Sequence, residues 1–197
     1  MIRILITFLM VSTILISQSN AQTLSVGPVL GGNFTKISGI TNAKSLSGLN
    51  IGAFANYSIN EHIGMGFKLT FSQKGTAVEN STGTVRLNYL QLPITGVYYF
   101  GSIGNSFRPK IFAGPYAGAL ISAKDNDGND IVGVYKKADI GGLIGLGFNY
   151  SLKSRTWLNI DASYSGSLTN IAEAANTTYK NTGLSISAGL SFPISAE

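Results

Sequence analysis

Leu184-Ser185-Ile186-Ser187-Ala188-Gly189-Leu190-Ser191-Phe192 alternates without a break between apolar residues and small or polar ones. A repeat of two puts successive side chains on opposite faces of an extended strand, whereas a helix repeats about every 3.6 residues. The same beat runs through Leu49, Ile51, Ala53, Ala55, Tyr57 and Ile59, with Asn50, Gly52, Asn56 and Ser58 between them. It returns in Ile63, Met65, Phe67, Leu69 and Phe71 against Gly64, Gly66, Lys68, Thr70 and Ser72. Each segment has one apolar face and one face of small or polar residues.

Extended along the chain, the pattern predicts strands near 23–36, 47–59, 62–74, 84–101, 107–122, 135–152, 156–168 and 180–193. Pro28, Pro109 and Pro115 interrupt the first and fifth, which leaves eight or ten strands open. The connections alternate: 60–61, 102–106 and 153–155 are short, and 37–46, 75–83, 123–134 and 169–179 are longer and rich in Asn, Gly, Thr and Asp. Short turns at one end and long loops at the other are expected of a bacterial outer-membrane barrel. The fold expected is all-β, an eight-stranded antiparallel up-and-down transmembrane β-barrel with both termini in the periplasm.

Composition bears on which face meets lipid. Hydrophobic residues make up 44% of the 197 and charged residues 12%, about half the charged share of an ordinary soluble domain. Beyond the first segment, the best apolar run is Ile140 to Phe148, which is interrupted by Gly141, Gly142, Gly145 and Gly147. A membrane-spanning helix needs roughly 20 residues. The non-apolar strand faces carry glycine and serine rather than Lys and Glu, as suits a narrow interior better than a wet surface. Phe54, Tyr99 and Trp157 are expected to fill that interior opposite Gly64, Gly66, Gly145 and Gly147. Tyr57, Tyr98, Phe100, Phe148, Tyr150 and Phe192 are expected to form an interfacial girdle at the periplasmic end. The alternative is a soluble periplasmic lipocalin-like binder of apolar ligands, with the apolar face turned inward.

The first segment reads as an export signal over 1–21. Arg3 is followed by apolar Ile4 to Ile16, and Ser19-Asn20-Ala21 supplies small residues before a cut at Gln22. The barrel domain then spans 22–197. No cysteine is present, so neither a disulfide framework nor a thiol site is available. The net charge of +5 is spread along the chain, and no nucleic-acid patch stands out.

Several motifs resemble the small outer-membrane barrels common in Bacteroidetes, the porin-family or PorT-like proteins. Asn88-Tyr89-Leu90-Gln91-Leu92-Pro93 followed by Tyr98-Tyr99-Phe100 is similar to that family's Tyr-Leu-Glu-Ile-Pro segment. Ile111-Phe112-Ala113-Gly114-Pro115-Tyr116 resembles its aromatic-Ala-Gly-Pro-Tyr run. Asp139-Ile140-Gly141-Gly142, Gly145-Leu146-Gly147, Tyr164 and Leu168-Thr169-Asn170-Ile171 follow in the same order. Gln91 stands where the family usually has Glu, and five residues follow Phe192. The resemblance implies an outer-membrane location, contact with lipid and with the barrel-insertion machinery, and an accessory role in secretion as one version of function. It implies little about activity.

Four groups invite chemistry. Asp125, Asp127 and Asp130 cluster around Gly128 and suggest a calcium loop, but the spacing departs from an EF-hand. A solvated Asx-rich turn is the simpler reading. His62, the sole histidine, sits beside Glu61 in a short turn. It is expected to be a solvated turn residue at the periplasmic end, away from any outer-loop nucleophile. Lys68, Lys110, Asp139 and Asp161 fall on interior faces. A polar path and a structural ion-pair network are both readings of them, and the network is favoured because eight strands leave little free bore. No cofactor, metal or catalytic residue is assigned. The function expected is a non-enzymatic outer-membrane barrel with a narrow filled lumen, whose outer loops contact the surroundings, with a protein partner expected at the outer loops or the periplasmic turns.

Overall fold

A computed structural model describes residues 23–78, 83–102, 104–153 and 155–194. The proposed signal and its cleavage site lie outside these residues. The chain forms β1 (Thr23–Ser38), β2 (Ala43–Ser58), β3 (Ile63–Val78), β4 (Thr84–Tyr99), β5 (Phe107–Lys124), β6 (Ala138–Lys153), β7 (Thr156–Ser167) and β8 (Lys180–Pro193). Each strand pairs antiparallel with its chain neighbour, and β8 closes on β1, so the sheet has no edge. The count is eight.

The alternating beat resolves into an apolar outside and a polar inside. Ile144 and Leu146 are 65% and 64% exposed on the outer face, with Leu30, Ile51, Leu69, Leu184 and Ile186 exposed around the same belt. Asn33, Thr70, Ser72, Gln91, Asn159 and Ser187 are buried within. This overturns the soluble lipocalin-like alternative, which needs apolar side chains to line the cavity. Large rings fill the bore where glycines make room. Phe54 faces Gly189, where an added Cβ would lie 2.6 Å from its Cε1. Phe112 faces Gly145 in the same way at 2.4 Å. Of the expected pairings, Tyr99 does meet Gly64. Trp157 lines the mouth nearest Thr23 and Pro193, while Gly66 faces Thr95 and Gly147 faces Asp161.

The strands run further outward than the sequence pattern indicates. Strand extends over 37–38, 43–46 and 75–78, and β1 and β2 are joined only by Gly39 to Asn42. The long outer connections reduce to 125–137, which contains a short 3-10 turn over Val132–Val134, and 168–179. A tilted strand needs about 9–11 residues to cross the hydrocarbon. On β1 the outward apolar positions end at Phe34 and give way to Lys36, so the last turn of pleat stands above the lipid. The outward faces there carry Lys36, Lys44, Arg86, Lys124 and Lys180 instead of apolar groups. Register shifts between Ser45 and Asn50 and between Asn88 and Tyr89 flip side-chain parity at this level.

At the opposite end, Tyr98 packs edge-on to Phe100 and Phe107 against Phe148, each with centroids 5.1 Å apart. Phe107, Tyr150 and Phe192 are exposed beside them, which builds the aromatic girdle. The prolines leave gaps in the ladders. The β1–β8 register breaks between Val26 and Val29, and the β3–β4 register breaks beside Leu92 and Pro93, because Pro has no N–H to donate.

Candidate functional site

Six strands converge on one carboxylate near the outer end of the lumen. Asp139, the second residue of β6, is 0% exposed. It accepts from Ser167 Oγ at 2.6 Å, Asn181 Nδ2 at 3.0 Å, Lys74 Nζ at 3.3 Å and Tyr116 Oη at 3.3 Å. Ser167 Oγ also accepts the Asn181 backbone N–H at 3.0 Å, which fixes its proton toward Asp139. The Lys74 ammonium lies 4.4 Å from the Tyr116 ring centroid and 5.4 Å from that of Tyr89. Gly141 lets the Tyr116 ring in, since an added Cβ would stand 2.5 Å from its hydroxyl. The Ser167 proton is thus directed to the carboxylate, and the cluster holds a paired charge.

A second cluster lies six residues lower on β3, about 20 Å along the strand. Asp161 Oδ2 accepts from Lys68 Nζ at 2.8 Å. Lys110 Nζ stands 2.8 Å from Oδ1, outside hydrogen-bonding geometry, so that contact is electrostatic. Lys68 also lies 5.7 Å from the Phe112 ring centroid. A side chain at Gly147 would displace the carboxylate, because a Cβ there would sit 2.5 Å from Asp161 Oδ1. Of the four charges the sequence placed inside, Lys68, Lys110 and Asp161 therefore meet, while Asp139 stands apart with Lys74. Between the clusters is a cavity of about 60 Å³, lined mainly by hydroxyl and amide side chains.

The mouth on the side of both strand termini, Thr23 and Pro193, holds a further cavity of about 180 Å³, which Tyr99, Arg108, Asn149 and Trp157 help to line. Arg108 donates from Nη2 to the Glu61 carbonyl, and its guanidinium lies 4.8 Å from the Tyr99 ring centroid. His62 is at this end, as expected, but it is not simply solvated. Its Nδ1 is 3.1 Å from the Tyr99 carbonyl and its ring stacks on Tyr98.

At the outer mouth the two longer loops fold into a cap. Ile37, Leu87, Tyr89, Ala123, Tyr135 and Ile171 form one buried cluster. Lys136 N–H donates to the Ile171 carbonyl at 2.8 Å, and Glu173 N–H to that of Val134 at 3.0 Å, which stitches loop to loop. Asn170 clamps its own loop: Oδ1 accepts from Ala172 and Tyr179 N–H, both at 2.9 Å, and Nδ2 donates to the Thr177 carbonyl at 2.7 Å. Tyr135 lies outside the strands, where burial pushes its phenol up to about 12. In the acidic turn, Asp125 accepts from the N–H groups of Asp127 and Asn129 and from Asn129 Nδ2. These hydrogen bonds, the Asn129 side chain first, hold its carboxyl below the ordinary range. Asp130 accepts from Val132 N–H. Among the described residues, no three His, Cys, Asp or Glu side chains are grouped to hold a metal ion.

A closed antiparallel barrel, dry outside and polar within, has one family assignment from sequence: the outer membrane protein beta-barrel domain, matched over residues 16–173. The chain belongs to that family. Among solved structures the barrel is similar to Neisserial surface protein A (17% identity, 86% of this chain and 96% of that one, TM-score 0.57). It is similar also to the outer membrane protein OprG of Pseudomonas aeruginosa (13%, 89% and 97%, 0.55) and to the outer membrane protein AlkL (14%, 91% and 94%, 0.52). At these identities the likeness is one of fold. No curated protein sequence matches the chain significantly. This family member resides in the outer membrane, where its apolar belt faces lipid.

Proposed function

We propose that the protein is a non-enzymatic outer-membrane barrel whose folded cap is a contact surface, for the cell's surroundings or for a protein partner. The barrel serves as its rigid anchor. The observation that carries this reading is the construction of the cap. The 125–137 and 168–179 loops are bonded to each other and seated on Ile37 and Leu87, so they present a fixed shape. A surface already ordered loses less entropy on binding than a flexible loop does. Leu168, 73% exposed, and Val134 stand out on the outer loops beside Lys136 and Lys137. The lumen supports the reading from the other side, since its rings and ion pairs occupy the bore that a channel would need.

The test combines topology and contact. A membrane-impermeant maleimide on intact cells should label Asp127→Cys and leave Asn60→Cys unlabelled; the reverse pattern inverts the barrel. A photo-crosslinking residue at position 134 or 168 should give a discrete adduct on growing cells, and none at either site refutes the contact role. An accessory role in secretion rests on the PorT-like resemblance alone. Cleavage after Ala21 is checked by N-terminal sequencing of the membrane-extracted protein.

A further inference from the structure

Charge in the walled part of the lumen does not balance. Lys68, Lys74 and Lys110 face Asp139 and Asp161 there. Lys74 and Asp139 neutralise each other. Asp161 serves both other lysines, one on each oxygen, and so leaves one positive charge over. An uncompensated charge in a low-dielectric interior is costly and calls for a counter-charge. The contact of Lys68 with the Phe112 ring relieves only part of it.

The place for a counter-ion is adjacent. Lys68, with a quarter of its side chain accessible, and Lys110 both border the 60 Å³ cavity. Thr70 and Ser163 are the next inward residues above Lys68 and Asp161, and Ser187 lies directly across the ladder from Asp161. Among the described residues, none of these three hydroxyls has a side-chain hydrogen bond, so each has a proton to donate. We propose that this cavity is a binding site for one small inorganic anion of the chloride class, held by Lys68, Lys110 and the hydroxyls of Thr70, Ser163 and Ser187. The volume has room for such an ion together with water.

Gln91 provides a clean test. It is buried in β4 and lines the same cavity, and Gln91→Glu adds a carboxylate at almost constant shape. The mature chain, folded in detergent micelles, is melted at constant ionic strength while chloride replaces gluconate. The wild type should gain melting temperature in a saturable way, as for any ligand that binds only the folded state, and bromide should substitute for chloride. Gln91→Glu should lose the chloride response and melt higher than wild type without chloride. Lys68→Gln should lose the response as well. Each variant is first checked for the gel-mobility change of a folded barrel. A wild type indifferent to chloride, or a response that persists in both variants, overturns the site.

Discussion

Replacing Asp139 with Asn would remove the only carboxylate beside Lys74 among the described residues and leave an ammonium enclosed by Tyr89 and Tyr116. The size of the effect follows from the geometry. At 3.3 Å, with an effective dielectric of about 20, the attraction between the two charges is about 5 kcal/mol. Breaking one side of such a buried pair typically costs about 3–5 kcal/mol, because the stranded partner keeps its desolvation penalty. The ring faces near the ammonium offset some of that, by about 1–2 kcal/mol. Asp139→Asn is therefore expected to lose about 1–4 kcal/mol. Lys74→Met should lose less, because Ser167, Tyr116 and Asn181 still donate to the carboxylate. The double variant should recover much of the loss, with a coupling of about 2 kcal/mol or more. The assay is urea unfolding of the refolded barrel, followed by Trp157 fluorescence, since that side chain lines the mouth nearest Thr23 and Pro193. Losses that simply add, with coupling below about 0.5 kcal/mol, refute the argument that the pair acts as a unit.

Ile144→Arg places a charge at the middle of the lipid-facing side of β6 and should lower stability in bilayers by about 2–4 kcal/mol; an unchanged value means this face does not meet lipid. Gly145→Ala should cost about 1–3 kcal/mol by crowding Phe112. Phe112→Leu should restore only part, because the added Cβ also meets the Ala162 carbonyl at 2.6 Å. The Asp125 turn should resist acid. A carboxyl held below its ordinary value of 3.8 keeps its contribution above that pH and loses it only as pH falls through the lower folded value. The Asn129 amide shift should therefore titrate below pH 3.8, and millimolar calcium should leave it unmoved.

The membrane-embedded part of the barrel was legible because lipid imposes one rule on it: apolar at every second residue. Above the lipid that rule lapses. Ser38 and Lys44 lie on strands whose outward faces no longer need to be apolar, so the pattern there looks like loop. The hidden partner of Asp139 is the clearest miss. Lys74 is the last residue of the expected 62–74 strand and shares its face with Lys68, six residues away, so parity alone places it inside, yet it is not among the interior charges expected from sequence. Tyr135 and Ile171 were harder to foresee, because their burial depends on two loops packing on each other, and no local periodicity encodes that contact. The family motifs carried more than their composition suggested: Asn170 and Tyr116 hold the cap loop and the Asp139 cluster together.

The ladder between β1 and β8 also bears on how the molecule assembles. Seven of the eight pairings join strands that follow one another in the chain, and each can zip from its own hairpin. The eighth brings together segments separated by nearly the whole domain, so most of the entropy of ring closure is concentrated in that one step. The seam is also where Pro28 interrupts the register. It should be the last contact made during insertion and the first to part under load, and hydrogen exchange along Val26 to Val29 would time both events.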